Sequence, residues 1–306
     1  MNEKSSKNCQ NWVKEKIYPH YTVKYEIKNL IHEKQSPFQN IKVVESCQFG
    51  KMLLLDDIVQ LTEVDEFVYH EMLVHIPMLT HPDPKFVYIV GGGDCGILRE
   101  VLRHPVKKAT MVELDKDVVD ECQKYMNIAE NVYSDKRADI ICAEASITLE
   151  KSKDTYDIML VDSTDPVGEA VKLFTPEFYR NAYSRMSDDG MIVTQSGSPV
   201  FQPTMLQMVV DNMKAVFPIV KVYTAIIPTY PGIYWSFTVG SKKLIPGEVK
   251  IDKLNKRIKE RNLSFKYYNS ELHQSCFVLP EFVKSTISKK LPYGIFKSKD
   301  VIWNLG

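Results

Sequence analysis

Asp162 and Asp165 lie three residues apart in VDSTDPVG, at the end of the apolar run YDIMLV. An Asx turn with a helix cap would account for acids in such a place, since Asp, Ser and Pro all favour turns. Two close carboxylates have a further use. They bind a protonated amine, and one of them can take its proton and leave a nucleophile.

A second chemical signal lies upstream. The apolar run FVYIV leads into GGGDCGILREVLRH, where Gly91, Gly93 and Gly96 form GxGxxG between a strand and a helix, and Glu113 follows 22 residues after Gly91. Glycines let the backbone turn tightly and approach a ligand at a helix N-terminus, and an acid at that distance can accept both hydrogen bonds of a ribose diol. NAD and S-adenosylmethionine-type cofactors both use this arrangement. Asp94 inside the loop would repel a pyrophosphate and attract the ammonium of an adenosylsulfonium, so a cationic cofactor is favoured.

Other residues carry weaker signals. His70 and His75 in HEMLVH are five apart, not the four that places two histidines on one helical face, so no metal site is expected. His104 and His273 read as partly exposed helix residues. IIPTYPGIYWSF sets Tyr230, Tyr234 and Trp235 in a connector that suits either a roof over an alkyl chain or plain hydrophobic packing. LNKRIKERN reads as a solvated charged face.

The elements that must position these residues follow from periodicity. YTVKYEI, IKVVES and KMLLLDDIVQL are strand-like and predict a small antiparallel sheet. EFVYHEMLVHIPML shifts to helical spacing, and HPDP ends it. FVYIV, ATMVEL, ADIICAE, YDIMLVDS and GMIVTQ then alternate with helical segments, which predicts an α/β fold with a parallel sheet covered on both faces. VKVYTAIIP and WSFTVGSKK are expected to finish that sheet antiparallel. The acid pair ends the fourth of these strands, where open parallel sheets bind ligands. The expected domains are 1–80, a β domain with its linking helix; 81–245, the catalytic domain; and 246–306, a helical appendage.

The chain has 306 residues, with 39 Lys plus Arg against 39 Asp plus Glu, so no global field draws it to nucleic acid or to an anionic membrane. A cationic ligand needs a local acidic pocket. The six scattered cysteines contain no CxxC pair, which favours free thiols in a reducing cytoplasm. No stretch approaches the roughly 20 apolar residues of a membrane span.

QSPFQNIKV, GKMLLLDDIVQLTEVDEFVYHEML, GGGDCGILREVLRH, VELD, VDSTDPVG and IIPTYPG occur in the order found in spermidine synthases, and the sequence resembles that polyamine aminopropyltransferase family over about residues 20 to 290. The resemblance implies an N-terminal β domain followed by a methyltransferase-like Rossmann fold. It implies transfer of an aminopropyl group from decarboxylated S-adenosylmethionine, a co-substrate rather than a resident cofactor, to putrescine or a related amine, without metal, in a homodimer or homotetramer.

Carried over by position, the resemblance puts Gln39, His70, Gly91, Gly93, Asp94, Glu113, Glu144 and Ala145 around the nucleoside. Tyr69, Asp162, Asp165 and Tyr230 would hold the amine, Gln60 would line the same cleft, and Asp162 would accept the proton. The sequence departs from the family pattern at Cys95 in GGGDCG, at Glu144-Ala145 where Asp-Gly is usual, and at Glu169 where Pro is usual. Three other readings compete: an S-adenosylmethionine-dependent putrescine N-methyltransferase, a non-catalytic polyamine- or nucleoside-binding homologue, and a nicotinamide dehydrogenase, which the loop acid Asp94 disfavours.

Overall fold

The structure, a computed structural model, describes residues 11–18, 21–129, 131–165 and 168–288, without the side chains of Tyr18 and Glu169. The side chain at the Glu169 departure therefore lies outside what is described. Strands β1 (Asn11–Tyr18), β2 (Tyr21–Gln35), β3 (Asn40–Ser46), β4 (Lys51–Leu55) and β5 (Ile58–Thr62) pair in chain order as one antiparallel sheet. Asp56 and Asp57, both at positive φ (48° and 65°), make the two-residue turn between β4 and β5. The sheet curls until Glu15 on β1 accepts the Val59 N–H of β5 at 3.2 Å.

The helix α1 (Glu66–Thr80) is buried along nearly its whole length. Val68, Met72, Leu73 and Ile76 join the core beneath the second sheet, together with Val87, Ile89, Leu160 and Val193. That sheet contains β6 (Phe86–Gly91), β7 (Lys108–Glu113), β8 (Ala138–Cys142), β9 (Tyr156–Asp162), β10 (Met186–Gln195), β11 (Ile219–Ile226) and β12 (Tyr234–Ser241), in the order β11-β12-β10-β9-β6-β7-β8. The five strands β10 to β8 are parallel, and β12 and β11 close the sheet antiparallel. This is the expected methyltransferase-like arrangement.

Helices α2 (Gly96–Leu102) and α3 (Lys116–Tyr125) follow β6 and β7, while α4 (Ala145–Lys151), α5 (Pro176–Ser184) and α6 (Pro203–Lys214) follow β8, β9 and β10. A second core on the other face of the sheet unites Tyr88, Val90 and Val161 with Leu149, Phe178 and Val209. The N-terminal sheet packs against α3 through Ile41, Val43, Leu53, Val118, Cys122 and Met126. This contact puts the curled sheet beside the glycine loop.

The C-terminal helices α7 (Ile251–Glu260), α8 (Ser270–Ser275) and α9 (Glu281–Ser288) come after the sheet. Glu71 on α1 accepts the N–H groups of Lys266, Tyr267 and Tyr268 at 2.8 to 2.9 Å, and Arg261 donates to Met78 and His81 carbonyls at the end of α1. The Arg261 bonds satisfy carbonyls that a helix terminus leaves unpaired.

Two sequence expectations are corrected. His104 and His273 are buried, at 1% and 0% exposure, because His104 meets His75 Nδ1 at 2.9 Å and His273 meets Tyr268 Oη at 2.6 Å inside the α1–α7–α8 packing. Cys95, Cys122, Cys142 and Cys276 are free thiols, but Cys47 is disulfide-bonded, so the reading of free cysteines does not extend to it. Among the described residues no helix is long and apolar enough to cross a membrane.

Candidate active site

Strand register creates the centre of the site. β9 lies beside β6 with Asp162 opposite Gly91, so the acid motif and the glycine loop end at the same level, where strand order reverses direction between β6 and β9. Ligands of open α/β sheets bind at such a switch point. Gly91 has φ +76°, and a Cβ there would stand 2.0 Å from the Asp162 carbonyl oxygen. Gly92 N–H donates to that same carbonyl at 3.2 Å. Glycine is required here by both the backbone conformation and the close approach.

The Asp162 carboxylate faces α1. Tyr69 Oη donates to its Oδ1 at 2.6 Å, and the Tyr69 ring stands 5.6 Å from that of Tyr230. His70, the next residue of α1, lies between two acids: Nδ1 is 2.5 Å from Glu66 Oε2, and Nε2 is 3.3 Å from Asp94 Oδ1. Arg99 on α2 grips Glu66 with Nη1 at 3.0 Å and Nη2 at 2.8 Å. Asp94 also accepts the Gly96 N–H at 2.6 Å, which fixes it to the start of α2. A Cβ on Gly96 would meet the His70 ring at 2.2 Å, so this third glycine makes room for the histidine.

Electrostatics follow from burial and from these partners. Burial raises Asp162 from its ordinary 3.8 to about 6, the Asp94 charge adds to the rise, and Tyr69 and His70 oppose it. Burial alone would neutralise His70, but Asp94 and Glu66 raise it to about 10. Burial pushes Asp94 up as well, and the His70 charge and Gly96 N–H outweigh it and hold the group low. At neutral pH the His70 cation thus faces Asp94 and Asp162, and the cluster keeps negative charge for a ligand. Ligand atoms of His70, Asp94 and Asp162 lie within 4.8 Å of one another, which is close enough for a metal ion. Both His70 nitrogens already face carboxylates, so the donor set suits a hydrogen-bonding cation better than a metal.

Glu113 stands at the end of β7, opposite the loop. A Cβ on Gly93 would be 3.2 Å from Glu113 Oε2, and Glu113 Oε1 accepts the Asp115 N–H at 2.9 Å. Burial raises this carboxyl to about 7, against the Asp115 N–H. Gln39 reaches the same neighbourhood from the N-terminal sheet, donating to Asp115 Oδ2 at 3.0 Å, and Ser36 donates to that oxygen at 2.6 Å. Asp115 caps α3 through its other oxygen.

Asp165 is held by two amides that sequence reasoning did not single out. Gln202 donates to Oδ2 at 2.7 Å and Gln195 to Oδ1 at 3.4 Å. Burial raises the pKa of Asp165, and both amides work against the rise. Neither glutamine lies in a recognisable motif. Their only signal is position, Gln195 at the end of β10, the strand next to β9, and Gln202 at the start of α6. Tyr230 donates to the Gln60 carbonyl at 2.7 Å, whereas the Gln60 side chain turns back to Ile58 O at 3.1 Å.

Glu144, Ala145 and Cys95 are each engaged within the protein itself. Glu144 is the N-cap of α4: its carboxylate accepts Ser146 N at 2.8 Å and Ile147 N at 3.2 Å. It lines a groove with Tyr88, Thr110 and Tyr156. Ala145 is buried in the second core, and its carbonyl accepts Tyr88 Oη at 2.9 Å. Cys95 has φ 64° at the start of α2, yet its side chain is fully buried with Ile97 and Leu98 and does not line the ligand cleft.

Known proteins match this architecture along nearly the whole chain. The spermine/spermidine synthase domain model matches residues 66–253, and the spermidine synthase tetramerisation domain model matches residues 11–63. The polyamine aminopropyltransferase of Bacillus cytotoxicus is 43% identical over 277 residues, which cover 90% of this chain and 98% of the relative. A spermidine synthase solved with the transition-state analogue AdoDATO superposes with a TM-score of 0.86 at 36% identity, covering 92% of this chain and 96% of that one. Spermidine synthase from Thermotoga maritima gives 0.84 at 35% identity, covering 92% and 95%. Family models over both sheets, a relative matched over almost its full length and solved structures of the same architecture together make this chain a member of the spermine/spermidine synthase family.

Proposed function

We propose that the protein is a polyamine aminopropyltransferase that moves the aminopropyl group of decarboxylated S-adenosylmethionine to putrescine and releases 5′-methylthioadenosine. The observation that carries this reading is the pairing of Gly91 with Asp162, which sets a nucleoside loop and a half-buried carboxylate side by side with Tyr69 on one oxygen of the acid. On this reading Glu113 accepts the ribose hydroxyls and Asp94 the donor's ammonium. Asp165, Tyr69 and Tyr230 hold the diamine. Ionised Asp162 takes a proton from the attacking ammonium, the amine nitrogen forms a bond to the propyl methylene, and the bond to sulfur breaks with its electron pair going to sulfur. Positioning and proton removal supply the catalysis. The N-terminal sheet, matched by a tetramerisation model, supports a homodimer or homotetramer. We place the reaction in the cytoplasm, which suits the free thiols Cys95, Cys122, Cys142 and Cys276.

Incubating the protein with each adenosylsulfonium and a panel of diamines, then identifying products by mass spectrometry, tests this function. Methylthioadenosine with spermidine is the expected pair. S-adenosylhomocysteine with a methylated amine would replace the reading by methyl transfer, and tight nucleoside binding without product would replace it by a binding role.

A further inference from the structure

Tyr230 stands on the connector between β11 and β12, which belongs to the second sheet, yet this connector is also held by β2 and β5 of the first sheet and by Asp65, just beyond β5. Within it, Ile227 N–H donates to Ile233 O at 2.8 Å, and Tyr230 N–H to Ile227 O at 3.1 Å. From outside, Asp65 Oδ2 accepts both the N–H of Thr229 at 2.9 Å and its hydroxyl at 2.6 Å. Tyr25 on β2 reaches the Thr229 carbonyl at 3.1 Å. The Tyr230 hydroxyl ends on the Gln60 carbonyl of β5. Asp65 and Thr229 are each 3% exposed, so these bonds form away from water.

Asp65 is also the N-cap residue of α1, and an aspartate there ordinarily accepts an N–H of the first helical turn. Here its side chain makes no cap hydrogen bond. Its second oxygen takes the Thr62 hydroxyl at 2.6 Å instead. The carboxylate thus serves the connector and the end of β5, and the helix starts without it.

We propose that Asp65 is a positioning residue for the amine side of the site: by fastening Thr229 it sets where Tyr230 stands, so the N-terminal sheet fixes one wall of the acceptor pocket. This rests on the aminopropyltransferase reading. Asparagine can replace this aspartate with the same shape. Its Oδ1 accepts the two Thr229 donors, and its Nδ2 donates to Thr62, whose hydroxyl then acts as acceptor.

The test uses the full-length protein with Asp65→Ala, Asp65→Asn and Thr229→Val. Amine KM, kcat and the Kd for 5′-methylthioadenosine are measured separately, and hydrogen exchange is followed at residues 227–233. Loss of two buried hydrogen bonds predicts an amine KM raised about tenfold or more in Asp65→Ala. Nucleoside Kd should stay within about twofold of wild type, and exchange at 227–233 should be faster. Asp65→Asn should restore most of the amine KM, and Thr229→Val should fall between the two.

An unchanged amine KM in Asp65→Ala, an asparagine variant as damaged as alanine, or an equal loss of nucleoside affinity would overturn the assignment. If Asp65→Ala does not fold, Thr229→Val decides: wild-type amine KM there refutes the fastening. If wild-type protein transfers no aminopropyl group, the function fails but the fastening is still read by exchange, where Asp65→Asn must protect 227–233 nearly as wild type does and Thr229→Val must protect it less.

Discussion

Replacing Asp162 by asparagine separates its chemical role from its structural one. The Gly92 N–H bond goes to the main-chain carbonyl of residue 162, and an asparagine Oδ1 can still accept the Tyr69 hydroxyl, so the loop geometry is kept. What disappears is the proton acceptor, and loss of a general base costs about 10²- to 10⁴-fold in turnover. The same change should stabilise the ligand-free protein. Burial takes the carboxyl from 3.8 to about 6, and at 1.36 kcal/mol per pH unit this makes the ionised form cost the native state about 3 kcal/mol. Because the native value is raised, the native state binds more protons than the unfolded chain between pH 3.8 and 6, and the cost is complete only above that window. Asp162→Asn should therefore melt about 5 °C above wild type at pH 7.5 and level with it near pH 3.5. Steady-state kinetics with the amine and calorimetry at both pH values check the two halves. Wild-type turnover would remove Asp162 as the base, and a melting difference independent of pH would show that buried charge is not the cause.

Gly91→Ala should destabilise the protein by at least about 3 kcal/mol, since its Cβ would press on the Asp162 carbonyl; chemical denaturation measures it, and an unchanged midpoint contradicts the register described. Glu144→Ala should cost about 1 kcal/mol through loss of the α4 cap, with nucleoside Kd within about twofold of wild type; a tenfold weaker Kd in titration calorimetry would make Glu144 a nucleoside contact after all. Glu15 and Glu113 are both raised by burial from 4.5 to about 7, so the native state binds their protons more tightly and stability is lost as pH rises through that window. Glu66, held near 2 by His70 and Arg99 against burial, acts oppositely and weakens the fold only as pH falls below 4.5. In Glu15→Gln the melting temperature should accordingly gain on wild type as pH rises from about 4.5 to about 7, whereas a difference independent of pH would contradict this burial.

The parts of this fold that were legible in the sequence are those governed by local periodicity. FVYIV, ATMVEL and YDIMLV are short apolar runs separated by helical ones, and they became β6, β7 and β9. The chemical residues at strand ends were legible for the same reason, because a strand end fixes where Asp162, Glu113 and Asp94 must lie. Contacts between distant segments were not. Nothing near Glu66 in the chain announces Arg99, and nothing near Thr229 announces Asp65, 164 residues away. His104 looked surface-like because its own segment is polar, but Arg261 and His75 arrive from α7 and α1 to enclose it. Glu144 has a role that no motif announces: free N–H groups at the start of α4 lie two and three residues away and bond its carboxylate.

Charge explains why this loop should prefer one nucleoside class. Asp94 and Asp162 face a single cation, His70, whose other nitrogen is engaged by Glu66, and Glu113 adds an acid across the loop. A pyrophosphate brought here would meet these carboxylates, with the one cation, His70, already engaged by Glu66 and Asp94. One unit of like charge at 4 Å costs about 4 kcal/mol at an effective dielectric of 20. An ammonium in the same place gains from Asp94, and by adding positive charge it lowers the Asp162 pKa, keeping the base ionised at neutral pH. Donor binding would then prepare the acid that the acceptor needs. The sharpest consequence is kinetic: the acidic limb of kcat, measured with donor saturating, should lie below the value of about 6 that burial gives Asp162 in the free protein. A limb that stays at 6 or moves higher would mean that the donor's ammonium does not sit beside Asp94.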